Sequence, residues 1–422
     1  MDTRLLDELE ASFAEELALV GDDLGALEAA VQSRLRQLGQ GLLQRLLDRQ
    51  SHGYQGSSLA CECDAWKRFV GHRCRTVHTL FGWVRVSRAY YHCRDCGEGA
   101  FPYDQKSGLG PEQLSPALAR ACCLLTVDDS FAETSRKLAE LFGEQVSANT
   151  VERLAQQVGA EIVRRQDEEL EDCLRQRKPP PPQVEPERLY VAADGTTVHE
   201  KDGWHEAKLG AVYWDDPERG RRARYLGGFC NSETLGWHLW RTACGCGLRQ
   251  AREVVFLGDG AHWIRTEHER HFSRATFIID WYHASQHIWE CGKVLFGEGT
   301  DQTTRWSRKR EGRLWEGDTP RLLKDLSRQS KGARGVKRKA LTDLHRYVKE
   351  NEERMRYDLF RAKGYDIGSG VVEGACKHVA GKRLKQSGMI WSRRGSEAVL
   401  ALRLAWLNEE WEDLWSGKPL AA

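Results

Sequence analysis

The sequence predicts a mixed α/β protein built from several modules, on three observations. Two short apolar runs, Leu189-Tyr-Val191 and Val254-Val-Phe-Leu257, each lead to an Asp-Gly pair and read as strands, the second as one covered on both faces. Two cysteine pairs bracket strand-like runs at 76–81 and 83–92. Leucines recur at three- and four-residue spacing through the first 50 residues, and helical patterns return at 111–176 and 284–365. The 422 residues leave room for two to four domains. Net charge is only +1 although 30% of residues are charged, so any nucleic-acid surface must come from local segregation of charge. No apolar leader opens the chain and no run of about 18 apolar residues interrupts it. A cytoplasmic protein with reduced thiols and no membrane partner is therefore expected.

Residues 1–50 read as helix, with Leu5, Leu6, Leu9, Phe13 and Leu17 and then Leu35, Leu38, Leu42 and Leu46 on apolar faces. Ten Asp/Glu against five Lys/Arg make this segment a poor DNA surface and favour packing or self-association. Next come Cys61-Glu-Cys63, Cys74, the two strand-like runs joined at Gly82, and Cys93-Arg-Asp-Cys96-Gly. A Cys-x-x-Cys after a hairpin, facing a Cys pair about 30 residues upstream, is the spacing of a zinc ribbon. Cys61, Cys63, Cys93 and Cys96 are the first choice of Zn²⁺ ligands, with Cys74 or His72 as a substitute. The first knuckle is irregular, Cys-x-Cys rather than Cys-x-x-Cys.

Ser130-Phe-Ala-Glu133 has the form of a capping box, and its helix runs to Gly143. Ser147 then caps a second helix with Asn149, Thr150 and Arg153 in its first turns and an expected extent through Gln176. Helix, glycine turn and helix fit a helix-turn-helix, and fit a plain helical hairpin nearly as well. Lys178-Pro-Pro-Pro-Pro-Gln-Val-Glu-Pro is a stiff linker.

Beyond the linker, the strand ending at Asp194 is followed by strand-like runs at 204–214 and 223–230 and a helix at about 233–247. The Asp259 strand, a helix at about 262–272 and a strand predicted over 275–283 complete the segment. Three meandering strands, a helix, a parallel strand, a helix and a further strand are the order of a ribonuclease H-like fold. In that architecture the first and fourth strands lie side by side and bring their carboxylates together. Two ionised carboxylates about 4 Å apart repel by roughly 4 kcal/mol at an effective dielectric near 20. Such a pair persists where a proton or a hard cation neutralises it. Between 305 and 339 there are 13 Lys/Arg against 4 Asp/Glu, with Trp306 and Trp315 interspersed, a composition suited to a phosphate backbone. Gly368-Ser-Gly370 then opens a helix carrying Glu373 in its first turn and Lys377, Lys382, Arg383 and Lys385 as a basic stripe.

The sequence resembles the DDE insertion-sequence transposases of the Kra-four group, distant relatives of Mutator-like transposases. The matching stretches are Ala193-Asp194-Gly-Thr, Leu257-Gly-Asp259-Gly-Ala, Asp280-Trp-Tyr-His283 and Gly368-Ser-Gly-Val-Val-Glu373, which runs on to Arg383-Leu-Lys-Gln-Ser-Gly-Met389. The resemblance spans roughly 60–410. It implies a catalytic triad of Asp194, Asp259 and Glu373 holding two Mg²⁺ (or Mn²⁺) ions, with Asp280 and His283 as an Asp-x-x-His motif beside them. It implies a ribonuclease H-like core interrupted by a helical insertion. It also implies cleavage of element ends followed by joining of the 3′-OH to target DNA.

The expected modules are N-terminal helices at 1–56, a zinc-ribbon-like module at 57–108, a helix-turn-helix at 109–177 and a linker at 178–188. The core follows at 189–284, a basic insertion at 285–365 and the closing core helices at 366–422. The expected partners are double-stranded DNA, both terminal inverted repeats and target, and at least one further copy of the chain. Asn149, Thr150, Arg153, Lys377, Lys382, Arg383 and Lys385 are the expected DNA contacts. No small-molecule cofactor is implied, and the expected location is the cytoplasm, at the nucleoid. Two rivals stand beside this reading: a nuclease of the same fold that joins nothing, and a domesticated, non-catalytic DNA-binding protein.

Overall fold

Leu189, Tyr190, Val191, Ala192 and Ala193 are all buried, so the strand they form is covered on both faces, and the second sheet is built around it. In this computed structural model the structure describes residues 10–11, 13–14, 23–50, 52–368 and 370–416, apart from the side chains of Val372 and Glu373. The expected helical periodicity at Leu5, Leu6, Leu9 and Leu17 lies outside the described residues. The chain divides into two compact units, residues 1–161 with 411–422, and residues 162–410. Mixed α/β architecture holds: among the described residues there is one 4-stranded and one 5-stranded sheet, with many helices.

The first unit begins with α1 (Leu24–Asp48), whose N-cap Asp23 accepts from the Gly25 and Ala26 N–H groups. One face sets Leu43 and Leu47 against Val77, Val84, Val86 and Leu109. From the same helix Gln40 donates to Trp83 O at 2.7 Å, and the Arg85 N–H donates to Gln44 Oε1 at 2.8 Å. Its other apolar stripe, Leu35, Leu38, Leu42 and Leu46, is exposed. The sheet runs in the order β1 (Ser58–Ala60), β2 (Trp66–Thr79), β3 (Gly82–Cys93), β4 (Gly99–Ala100), all antiparallel. β2 begins ten residues before the predicted strand, because its first half is largely exposed and takes Arg68, His72 and Arg73 without an apolar run. A bulge between Phe69 and Gly71 adjusts the register there.

Helices α2 (Pro102–Ser107), α3 (Pro116–Thr126) and α4 (Phe131–Phe142) follow. Ser130 Oγ accepts the Glu133 N–H at 3.2 Å, and Gly143 closes α4 in the left-handed conformation at φ 66°. Ser147 Oγ likewise accepts the Thr150 N–H at the start of α5 (Ala148–Gln176), and the division between the two units falls within this helix.

The second unit carries β5 (Arg188–Glu200), β6 (Gly203–Asp216), β7 (Gly220–Gly228), α6 (Ser232–Gly245), β8 (Glu253–Gly258), α7 (His262–His271) and β9 (Thr276–Ile279). The sheet order is β7-β6-β5-β8-β9, with β5 antiparallel to β6 and parallel to β8. β9 stops at Ile279, four residues short of the predicted strand over 275–283. Asp280 ends it by capping α8 (Trp281–Phe296), its Oδ1 accepting from the Tyr282 and His283 N–H groups at 2.6 and 3.0 Å. His283 therefore lies in the first turn of a helix, not on a strand, and the expected boundary at 284/285 falls inside that helix. Then come α9 (Asp301–Trp315), α10 (Thr319–Gly332), α11 (Gly335–Glu350) and α12 (Tyr357–Ala362).

The final stretch is one continuous winding: α13 (Gly370–Ala375), a π-helical turn (Cys376–Gly381) and α14 (Lys382–Leu384). It is followed by α15 (Arg393–Leu407) and, back in the first unit, α16 (Trp411–Ser416). No described helix is long and apolar enough to cross a membrane.

Candidate functional site

β5 and β8 pair in parallel with Arg188 opposite Glu253 and Ala192 opposite Leu257, a constant offset of 65 (253 − 188 = 65). Asp194 and Asp259 are separated by the same 65 positions (259 − 194 = 65), so continuing the register sets them side by side just past the point where the parallel pairing stops; β5 does not end at Asp194 as expected but runs on to Glu200, held by its antiparallel pairing with β6. Local backbone turns aim them. The Asp194 Oδ1 accepts the Gly195 N–H and the Asp259 Oδ1 accepts the Ala261 N–H, each at 2.7 Å. Gly260, at φ 82°, supplies the left-handed residue that lets the chain leave β8 and enter α7.

His283 joins them from the first turn of α8. One ligand atom each from Asp194, Asp259 and His283 lie within 4.8 Å of one another. Asp280 is not part of this group: it is 1% exposed and holds the first turn of α8 in the orientation that presents His283. The Asp194 carboxyl is pushed up from its ordinary range, foremost by burial, with the neighbouring Asp259 charge adding to the rise. A half-buried carboxyl so raised, beside a second half-buried carboxylate, marks a site short of positive charge. Oxygen donors with a deficit of this sign suit a hard divalent cation.

Cys376 is the residue that the sequence did not single out. Its thiol donates to Asp194 Oδ2 at 3.3 Å. It starts the π-helical turn, which sits against β5, and buried Arg403 of α15 supports that turn. The Arg403 Nε donates to Val379 O at 2.6 Å and its guanidinium also reaches His378 O, satisfying carbonyls of the irregular winding. Tyr347 of α11 lies close enough for the Asp259 and Asp280 charges, after burial, to hold its phenol protonated. Its ring packs on His287 at a centroid distance of 4.1 Å. The expected third carboxylate, Glu373, lies on α13, and its side chain lies outside the described residues.

Of the expected basic stripe, Lys377 and Lys382 are exposed, and the Lys385 ammonium donates to Thr196 Oγ1 on β5. Arg383 corrects the expectation: it is fully buried at 0% exposure, its guanidinium lying 4.8 Å from the Trp391 ring centroid and 3.3 Å from Met389 Sδ. It cannot contact a DNA backbone from there. Replacing so large a buried side chain leaves a cavity. Arg383→Ala is thus expected to lower stability, on the order of 2–4 kcal/mol, and to leave unchanged the salt dependence of whatever DNA binding the parent chain shows. Thermal unfolding and a salt titration check both parts; lost affinity at unchanged Tm would return Arg383 to the surface stripe.

In the first unit four thiols converge. Cys61 and Cys63 sulfurs lie 3.4 Å apart, Cys61 and Cys96 3.5 Å, and Cys63 and Cys93 3.7 Å. Four sulfurs around a tetrahedral zinc at 2.3 Å lie about 3.8 Å apart, so the set fits that ion. The irregular knuckle closes because Asp64 takes the left-handed conformation, φ 65°, while the Cys61 N–H donates to Ala65 O and the Asp64 N–H to Cys61 O. The opposite knuckle turns at Gly97, φ 77°. The Cys93 thiol is pulled down to about 7, foremost by the Cys96 backbone N–H. Neither Cys74 nor His72 belongs to the cluster.

On α5, Asn149 and Arg153 are exposed and Thr150 is half-buried. Arg153 is engaged in a two-toothed pair with Glu112, its Nε 3.1 Å from Oε1 and its terminal nitrogen 2.9 Å from Oε2.

A family model described as "Uncharacterised protein family (UPF0236)" matches residues 21–225 and 244–413. The chain is also similar to the "UPF0236 protein in vanSb 3'region" of Streptococcus gallolyticus, with 25% identity over 351 residues, covering 79% of this chain and 73% of the relative.

Proposed function

The chain belongs to the UPF0236 family, and we propose that it is a DDE transposase, cutting the ends of its own insertion element and joining them to target DNA. The observation that carries this is the meeting of Asp194, Asp259 and His283 beside the point where the parallel pairing of β5 and β8 ends. The sheet order β7-β6-β5-β8-β9, with its three-strand meander followed by two parallel strands, supports a ribonuclease H-like core. Helices α9 to α11 and their basic surface stand in the sequence between Asp259 and Glu373, where the resemblance calls for an insertion.

Asp194, Asp259 and Glu373 are the residues that hold the divalent ions. Glu373 is assigned on its position, one turn before Cys376 on a helix packed against β5 and β6. Mg²⁺ or Mn²⁺ bound there supplies Lewis-acid polarisation of the scissile phosphate and ionisation of the attacking water. In the first step a water oxygen bonds to phosphorus and the 3′ oxygen leaves. In the second, that 3′-OH attacks a target phosphodiester, and the new P–O bond replaces a broken one. No protein nucleophile is used. Asp280 positions His283 through the α8 cap, and the lysines at 377 and 385 stand where a phosphate backbone could approach. The four-cysteine cluster takes a structural zinc, and α4, Gly143 and α5 form the helix-turn-helix. Synapsis of two element ends asks for at least two copies of the chain.

A strand-transfer assay tests this reading. The protein is incubated with Mg²⁺, oligonucleotides carrying the ends of the DNA element that encodes it, and a supercoiled target. End cleavage followed by joined products is expected. Cleavage without joining would make the protein a nuclease of the same fold. End binding with neither reaction would make it a non-catalytic DNA-binding protein.

A further inference from the structure

We propose that Tyr282 is a stacking platform for a DNA base beside the scissile phosphate, a base turned out of its own stack where the strand enters the carboxylate site. The inference rests on the proposed function in taking DNA as the substrate of that site. Tyr282 is 63% exposed, while Trp281 and His283 on either side of it are partly buried. A single exposed aromatic is ordinary on a protein surface, so the argument lies in where this one stands and what holds it.

Two backbone segments pin the ring. The Tyr282 N–H donates to Asp280 Oδ1 at 2.6 Å, which fixes it in the first turn of α8. The Trp281 N–H donates to Ile367 O at 2.9 Å, tying that turn to the chain just before Gly368. A Cβ built on Gly368 would lie 3.0 Å from Cε2 and 3.3 Å from Cδ2 of the Tyr282 ring, so the ring lies close against the glycine backbone. Gly368 leads into α13, the helix of Glu373, and Tyr282 is the immediate neighbour of His283, which meets Asp194 and Asp259. The ring therefore stands between the segment that presents His283 and the segment that leads to Glu373, braced on one side and open to solvent on the other.

A planar base suits such a surface, because every base has a π-face and stacking is tolerant of sequence. Two carboxylates repel phosphates, so a contact that does not depend on charge is what this part of the site can add. Holding the base also holds the sugar and phosphate next to it, and in-line attack at phosphorus needs that phosphate fixed in orientation. Taking a base out of its stack costs energy, which an aromatic platform offsets. No covalent bond to Tyr282 forms.

Two measurements on the full-length chain test this. First, element-end duplexes carrying 5-iodouracil at single positions are irradiated with the protein, and peptide mass spectrometry locates the cross-links. Cross-linking to Tyr282 is expected from one or two adjacent positions. Second, Tyr282→Ala is expected to lower kcat/KM for Mg²⁺-dependent end cleavage about 10- to 100-fold, with Tyr282→Phe and Tyr282→Trp restoring most of it. Stacking releases no counterions, so the slope of log affinity against log salt should be the same in Tyr282→Ala as in the parent. No cross-link at Tyr282 overturns the proposal whether or not the ends are cut. Phe as poor as Ala, or a reduced salt slope, overturns it too, since either would make the ring something other than a platform. Cleavage that is indifferent to Tyr282→Ala sinks this inference alone. A cross-link at Tyr282 without any cleavage leaves the platform standing and counts against the transposase reading.

Discussion

Asp259→Asn is expected to reduce Mg²⁺-dependent cleavage of element ends by about 10³ or more while end binding stays within about threefold. The substitution keeps side-chain size and can keep the Oδ1 bond from the Ala261 N–H, so the turn out of β8 survives. What it removes is a negative charge from the group formed with Asp194 and His283. Metal stabilisation of charge on a transferring phosphoryl group is worth several kcal/mol, and each 1.36 kcal/mol is a factor of ten. In the proposed reading, binding is by contrast carried by lysine and arginine contacts to phosphates, which the substitution leaves alone. Cleavage is read on labelled end duplexes and binding by fluorescence anisotropy. Equal loss of both would make Asp259 structural.

Asp194→Asn has a second signature, in stability. A carboxyl raised in the folded state penalises folding once the pH exceeds its unfolded value near 3.9, and the penalty is absent below that value. Asp194 is raised in this sense, foremost by burial. In EDTA at neutral pH, Asp194→Asn should therefore be at least as stable as the parent while failing to cleave. A marked drop in Tm would show that the ionised carboxylate supports the fold, and with it that the charge deficit assigned to the site does not exist.

The carboxylate pair was legible in the sequence because a parallel register leaves a numerical trace. The 65-residue offset of β5 against β8 is also the separation of the two Asp-Gly pairs. The caps at Ser130 and Ser147 were legible for a similar reason, since a hydroxyl three residues before the donor N–H is a local rule. Arg383 misled because a run of cations does not say which way each points. Adjacent helix positions such as 382 and 383 differ by about 100° in direction, so both cannot lie on one stripe. Cys376 was missed because its importance comes from a π-helical turn, whose support by Arg403 is 27 positions away (403 − 376 = 27). His283 was read as the end of a strand because Thr276, Phe277, Ile278 and Ile279 are strong strand formers and the Asp280 cap that ends them is a single residue. The order of the five strands could be anticipated from hydrophobic runs; the approach of Cys376 to Asp194 could not.

Zinc is expected to be present at one ion per chain in the first unit, and its loss is expected to open the 4-stranded sheet. The sulfurs of Cys61, Cys63, Cys93 and Cys96 are already near tetrahedral spacing, and no disulfide joins any of the described cysteines. Structural zinc contributes on the order of 10 kcal/mol in small modules that fold only with metal. This sheet has apolar support of its own from Val77, Val84, Val86 and Leu47, so part of it should persist without the ion. The metal-dependent part is the end where β1 and β4 flank the long hairpin, since those strands are only 3 and 2 residues long and carry the two knuckles beside them. So short an edge strand is marginal by itself. Cys96→Ser should therefore abolish stoichiometric zinc and deprotect amides of β1, β4 and the outer half of the hairpin in hydrogen exchange. The amides at 76–86, packed under α1, should stay protected, and β5, β6 and β8 in the second unit should be unaffected. Cys74→Ser, outside the cluster, should change neither zinc content nor exchange. A zinc content unchanged by Cys96→Ser, or a knuckle equally protected with and without metal, would mean that backbone turns at Asp64 and Gly97 suffice to hold the four thiols together.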